Sequence, residues 1–269
     1  MLNDITFGQY YPSNSFVHKM DPRFKLVLTV AYIVLLFVAD TFAGYAVSAA
    51  FVLVSIAASR VPIKLLAKNL KPLLPVLIIM FVMNAFINST GNVLVKFWIF
   101  KVTDAGIIRA VVMLLRLVML IFFTGLLTLT TSPISLTFGI ESLFKPLSKI
   151  GFPAHEMAMM MTIALRFIPT LIEETDKIMK AQMARGADFD TGNLVQKAKS
   201  MLPLLIPLFV SAFRRAEELA LAMTARCYRG GEGRTRMTPL KVTKNDFIAT
   251  AFAIVMFALM IGTNYVKIF

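Results

Sequence analysis

The chain alternates between long uncharged blocks and short clusters of charge, and the blocks set the architecture it can adopt. A helix needs about 20 apolar residues, at roughly 1.5 Å each, to cross a hydrocarbon core about 30 Å thick. Leu26 to Ser59 carries one charge, Asp40, and as a single helix its 34 residues would reach roughly 51 Å. It must fold back. Asp40, Thr41 and Gly44 supply the turn, which predicts one helix from about Phe24 to Ala39, with Arg23 and Lys25 snorkelling, and a second from Phe42 to Ser59. A third block runs from Pro72 to about Thr90, a fourth from about Ala105 to Thr131, and a fifth from Phe247 to Tyr265. The pattern predicts five spans.

Composition removes the main alternative. The 269 residues are 58% hydrophobic and 16% charged, with a mean hydropathy of +0.75. Soluble domains run nearer about 45–50% apolar and about 25% charged. Residues 1–24 lack an apolar core with a cleavage site, so no removable signal peptide is expected. The 28 basic against 15 acidic residues give +13, which suits anionic lipid or an acidic protein partner and does not require nucleic acid. Cys227 is the only cysteine, which excludes an internal disulfide and a cysteine-clustered metal site; His18 and His155 are too few for a zinc centre, and no cofactor is implied.

Basic residues orient the spans. With the amino terminus inside, residues 1–25, 60–71 and 132–244 hold three, four and sixteen Lys and Arg, while the outer pieces hold Lys96, Lys101 and Lys267. The positive-inside rule makes the amino terminus and the long insert cytoplasmic. The chain divides into a cytoplasmic segment 1–23, four spans within 24–131, an inserted region 132–244 and a fifth span in 245–269. Trp98, Phe97 and Phe100 in the outer loop fit an interfacial aromatic anchor.

The insert reads as helix after helix: Ile134 to Ile150, Ala154 to Gly186 and Asn193 to Tyr228. Its apolar runs are too short to cross and suit helices at the membrane surface. Each long helix then turns polar, with Glu173–Lys177, Asp176–Lys180 and Arg214–Glu218 at intrahelical pair spacing. The endings are alike: Met183-Ala184-Arg185-Gly186 closes one helix and Met223-Thr224-Ala225-Arg226-Cys227 the other, with the arginines 41 residues apart. Arginine favours the negative end of a helix and glycine the position past it, so Ala-Arg-Gly is also an ordinary helix stop. The sharper reading is a guanidinium at an exposed tip, placed to fork onto a partner's carboxylates or carbonyls. Both can hold.

Other features weigh less. Met157, Met159, Met160 and Met161, with Met179, Met183, Met201 and Met223, are either adaptable core filler or a deformable surface for several partners. His155-Glu156 begins a zinc-protease motif that Met159 interrupts. Arg116 lies deep in the fourth span and is a functional candidate there, whereas Arg109 can snorkel. Lys64, Lys68 and Lys71 share a face suited to anionic lipid. Gly230-Gly231-Glu232-Gly233-Arg234 lacks the Lys-Ser/Thr of a phosphate loop, and no such loop occurs in the chain, so energy must come from a partner.

Arg166-Phe167-Ile168-Pro169, Glu173-Glu174, the stretch Met183 to Phe189, Arg214-Arg215-Ala216-Glu217-Glu218, and Ala225 to Gly231 together resemble the transmembrane T component of energy-coupling factor transporters. Gly8-Gln9-Tyr10-Tyr11-Pro12 and Asp21-Pro22-Arg23 extend the likeness to the amino terminus, so it covers essentially the whole chain. The resemblance implies an all-α membrane protein with five spans and about three coupling helices. It implies two ABC-type ATPase subunits that receive the tips, with Ala184, Arg185, Gly186, Ala225, Arg226 and Cys227 as contacts. It also implies a small vitamin-binding membrane S component cradled by the coupling helices, with Met157, Met160, Met161, Leu204 and Leu208 as contacts. Where the tip pattern has glycine this chain has Cys227, and cysteine, unlike glycine, adopts a positive φ only at a cost.

The function expected is a non-enzymatic scaffold that passes ATPase motion to the S component of a vitamin importer. The alternatives are a self-contained secondary transporter and a membrane-embedded enzyme. Asp40, Asp104 and Asp246 sit at span boundaries, which leaves no carboxylate inside a span for proton or sodium coupling. The spans also offer no convergent acid, base or metal group for an enzyme.

Overall fold

The computed structural model describes residues 10–39, 41–87, 93–97, 100–187, 189, 193–230 and 240–266. Nearly all of them are helical. The order is α1 (Pro22–Val38), α2 (Phe42–Ser59), α3 (Ile63–Leu70), α4 (Leu74–Ile87), α5 (Asp104–Thr130), α6 (Pro133–Phe144), α7 (Ala154–Ala184), α8 (Leu194–Ser200), α9 (Leu202–Ala225) and α10 (Lys244–Val266). Tight 3-10 turns join α3 to α4 and follow α6. Between α4 and α5, β1 (Val93–Phe97) and β2 (Phe100–Thr103) pair antiparallel, so a short hairpin stands where a plain outer loop was expected. Trp98 and the side chains of Phe97 and Phe100 lie outside the described residues, and so does Asp40.

Among the described residues four helical stretches are long and apolar enough to cross a membrane: Phe42–Ser59, Ile63–Phe86, Asp104–Thr130 and Lys244–Tyr265. Three of the predicted boundaries lie close to these because uncharged length is itself the constraint. The third span was expected from Pro72 but begins at Ile63, because α3 and a 3-10 turn carry the helical stretch through the Lys64, Lys68 and Lys71 segment. Helix α1, with 17 residues, extends about 26 Å. Val27, Val30, Val34 and Phe37 on its outward face are each more than half exposed, the reverse of a helix packed against water.

The chain forms two compact units, one of Gly8–Ile140 with Pro239–Phe269, the other containing Glu141–Thr238. The division falls inside α6. The first turns of α6 belong with the membrane unit because a Cβ at Gly139 would stand 3.1 Å from the Pro22 side chain, a contact that only glycine admits without displacement.

The membrane unit is centred on aromatic rings. Phe51 of α2 lies 5.5 Å from Tyr32 of α1, 5.4 Å from Phe123 of α5 and 6.0 Å from Phe252 of α10 (centroid to centroid), so one side chain joins four helices. Polar locks close both ends. Asp246 is fully buried at the start of α10, where it accepts from the Thr243 amide at 2.6 Å and hydroxyl at 2.9 Å. Its other oxygen accepts from the Asp21 amide at 2.7 Å, which ties the first helix to the last. Asp21 in turn caps α1 by accepting from Arg23 N at 2.9 Å.

Lys25 does not snorkel. It is buried, and its ammonium donates to the Thr130 carbonyl at 3.0 Å, the Thr131 hydroxyl at 3.3 Å and the His18 carbonyl at 3.4 Å. It fastens the start of α1 to the end of α5. The segment before α1 lies over the same place: Tyr11 N donates to the Leu129 carbonyl at 2.9 Å, and His18 bridges the Tyr11 carbonyl (2.8 Å) and the Ser15 hydroxyl (2.6 Å).

Arg116 has a structural partner, which sequence reading left unnamed. Its guanidinium donates to the Ala39 carbonyl at 2.9 Å and to the Tyr45 hydroxyl, and stands 5.5 Å from the Phe37 ring and 5.6 Å from the Tyr45 ring. A cation thus closes the carbonyl end of α1, where the helix dipole is negative. This accounts for a charge at depth without a transported ion.

Candidate functional site

The second unit is built on α7 and α9, which pack together, with α8 leading into α9. The expected helix over Asn193 to Tyr228 is two helices. Pro203 lies in the first turn of α9, where a missing N–H costs nothing, and the chain turns at Met201. Pro169 and Pro207 lie inside α7 and α9, which continue through them.

Both helices close in the same way. Arg185 caps α7 at φ −90° and ψ 9°, and Arg226 caps α9 at φ −88° and ψ 13°. After Arg185, Gly186 at φ 86° donates to the Met183 carbonyl and Ala187 to the Gln182 carbonyl, both at 3.0 Å. After Arg226, Cys227 at φ 56° donates to the Thr224 carbonyl at 2.9 Å and Tyr228 to the Met223 carbonyl at 3.0 Å. Both are Schellman closures, with two reverse bonds around a left-handed residue. Cysteine therefore does not alter the second helix end; it adopts the glycine conformation at a cost. Ala184, Arg185, Gly186, Ala225, Arg226 and Cys227 are all exposed. A Cβ at Gly186 would meet nothing within 4 Å, so that tip is sterically bare.

Upstream of the tips, Glu174 of α7 accepts from Arg215 of α9 at 2.6 Å and from the Ser211 hydroxyl. The spacing had suggested intrahelical pairs at Glu173–Lys177, Asp176–Lys180 and Arg214–Glu218. Among the described residues the ion pair that closes in these polar halves is the one between the two helices. His155 pairs with Glu141 at 3.1 Å and joins α6 to α7.

The apolar surface is also divided between two helices. Met157, Met160 and Met161 are 48%, 58% and 55% exposed on α7. On α9, Leu204 is buried and Leu208 half-buried, while Leu202, Ile206, Phe209 and Phe213 form an exposed stripe at helical spacing. This stripe was missed because α9 is apolar on several faces in its first half, and periodicity alone does not choose among them. Asp246 was read as a boundary residue, although Thr243-x-x-Asp246 carries a capping-box signature. Among the described residues no group of three or more metal-ligating side chains occurs.

A family model described as "Cobalt transport protein" (CbiQ) matches residues 13–237. Among curated relatives, the "Energy-coupling factor transporter transmembrane protein EcfT" of Clostridium kluyveri is 56% identical over 262 residues, 97% of this chain and 97% of that one. The protein of the same name from Thermosediminibacter oceani is 56% identical over 252 residues, 93% of this chain and 95% of its own. That of Bacillus subtilis is 45% identical over 260 residues, 97% of this chain and 98% of its own.

Proposed function

Because the chain belongs to the CbiQ/EcfT family of transporter transmembrane proteins, we propose that it is the membrane subunit through which ATPase motion reaches a vitamin-binding S component. The single observation that carries the reading is the repeated tip: two helices of one unit end in the same backbone closure and each presents an exposed arginine. A guanidinium at such an end is free to make forked, charge-assisted bonds to a partner's carboxylates or carbonyls. Arg185 and Arg226 each seat on one of two ABC-type ATPases, with Ala184, Gly186, Ala225 and Cys227 shaping the contact.

The S component rests on the apolar surface of the same helices, on Met157, Met160 and Met161 and on the exposed α9 stripe of Leu202, Ile206, Phe209 and Phe213, with buried Leu204 and half-buried Leu208 on the inner face behind it. Flexible thioethers suit a surface that accepts several partners. Counting α1 with the four longer stretches supports five spans, and the basic excess favours a cytoplasmic amino terminus and 132–244 region in a multi-pass cell-membrane protein. ATP hydrolysis belongs to the partners.

Copurification of the assembled complex tests the assignment. The double variant R185E/R226E should insert normally and lose the ATPases, and each single variant should weaken them. Undiminished ATPase recovery with the double variant rejects the site. The native Cys227 thiol adds an independent readout, since its exposed sulfur should react with a maleimide in the free subunit and be shielded in the complex.

A further inference from the structure

The membrane unit encloses a cavity of about 270 Å³ at the end where α1 and α10 begin and α2 and α5 finish. Phe51, Phe123 and Phe252 form its deep wall, and Lys25 and Thr130 border its shallow end. Most polar groups along it are already used. Ser55 and Thr29 donate to carbonyls of their own helices at 2.8 and 2.7 Å, and the Lys25 ammonium spends its three donors on the bonds given above. The hydroxyl of Thr130, a residue only 2% exposed, is buried there without a partner.

An apolar cavity of roughly 150 Å³ already stays dry and takes up hydrophobic molecules; this one is nearly twice as large. Left empty, it forfeits dispersion contacts on every wall. Its shape is elongated, since Thr130 and Phe123 are seven residues apart, about 10 Å along α5. The mouth lies between α2 and α10, where Val54 is 47% and Ile248 60% exposed. Both helices are long and apolar enough to cross a membrane, so whatever reaches that mouth arrives from lipid.

We infer that the cavity receives the headgroup-proximal part of one acyl chain of a bilayer lipid, which enters between Val54 and Ile248 and packs against the Phe51, Phe123 and Phe252 rings. The unpartnered Thr130 hydroxyl stands at the shallow end, the level of the ester carbonyl where such a chain begins. The occupant fills the gap between α2 and α10 near the Lys25 and Asp246 locks.

The test uses the full chain in nanodiscs of phosphatidylethanolamine and phosphatidylglycerol, with a phosphatidylethanolamine that bears a diazirine midway along one acyl chain. Irradiation followed by peptide mass mapping should give adducts at the buried Phe51 and Phe123 in excess of those at the exposed Ile78 and Ile79 of α4. Ala58→Phe on α2 and Ala249→Phe on α10 each fill the cavity from a different helix. Either should cut the cavity adducts roughly tenfold while the α4 adducts persist. Cavity adducts that are absent, or unchanged in both filled variants, overturn the inference. So does their loss when a membrane partner binds, because the occupant in the working complex is then protein.

Discussion

Glu174 and Arg215 meet at 2.6 Å, and each stands eleven residues ahead of the arginine that ends its own helix. Eleven residues are about 16 Å of helix, so the pair grips α7 and α9 at matched distances from their tips. A partly exposed pair contributes about 1 kcal/mol, too little to hold the fold but enough to fix a register. Glu174→Gln should leave thermal stability within about 1 kcal/mol and assembly intact while uptake per ATP hydrolysed falls. The reversed pair, Glu174→Arg with Arg215→Glu, should restore it. Proteoliposomes of the whole complex give this ratio, and an unaltered ratio in the single variant removes the pair from the coupling route.

Asp246 joins α1 to α10 by accepting from three donors. Asp246→Asn keeps the shape but turns an NH₂ group toward donors, and should destabilise the chain by about 2–3 kcal/mol, the usual worth of hydrogen bonds to a buried charged group. Thermal unfolding in detergent measures it. A midpoint equal to wild type would show that the lock is redundant.

Cys227 holds φ 56°, which costs a non-glycine residue roughly 1 kcal/mol. Cys227→Gly should recover most of that, less the greater flexibility of glycine in the unfolded chain. Slower hydrogen exchange at the Tyr228 amide, which closes the motif, is the expected signature.

His18 has its pKa lowered, first by burial, against the raising effect of its bond to the Tyr11 carbonyl and with a smaller lowering contribution from Lys25. The folded state therefore favours the neutral ring. Its contribution is fully present above the unfolded value of 6.5 and is lost as pH falls through the lower folded value. Hydrogen exchange around residues 11–20 should quicken as pH drops below about 6.5, after correction for intrinsic rates, and His18→Asn should flatten that dependence.

The helices and the two tips were legible in the sequence because both are local. Uncharged length sets a span, and a Schellman closure is written in five or six consecutive residues. The locks were not legible. Asp21 and Asp246 are 225 positions apart, and Lys25 meets Thr130 across 105, so nothing in the spacing announces them. Phe51 reads as one more apolar residue until four helices converge on it. Glu174 and Arg215 were visible as charges, yet the intrahelical pairs that spacing offered involved their neighbours Glu173 and Arg214, and only tertiary packing brings these two together.

The reverse bonds at the two helix ends occupy carbonyls that a partner would otherwise have to satisfy. Any partner that docks there meets a finished stump bearing one guanidinium, with no raw edge to mend. The chain can accordingly await a partner without fraying, and release it without leaving torn backbone behind.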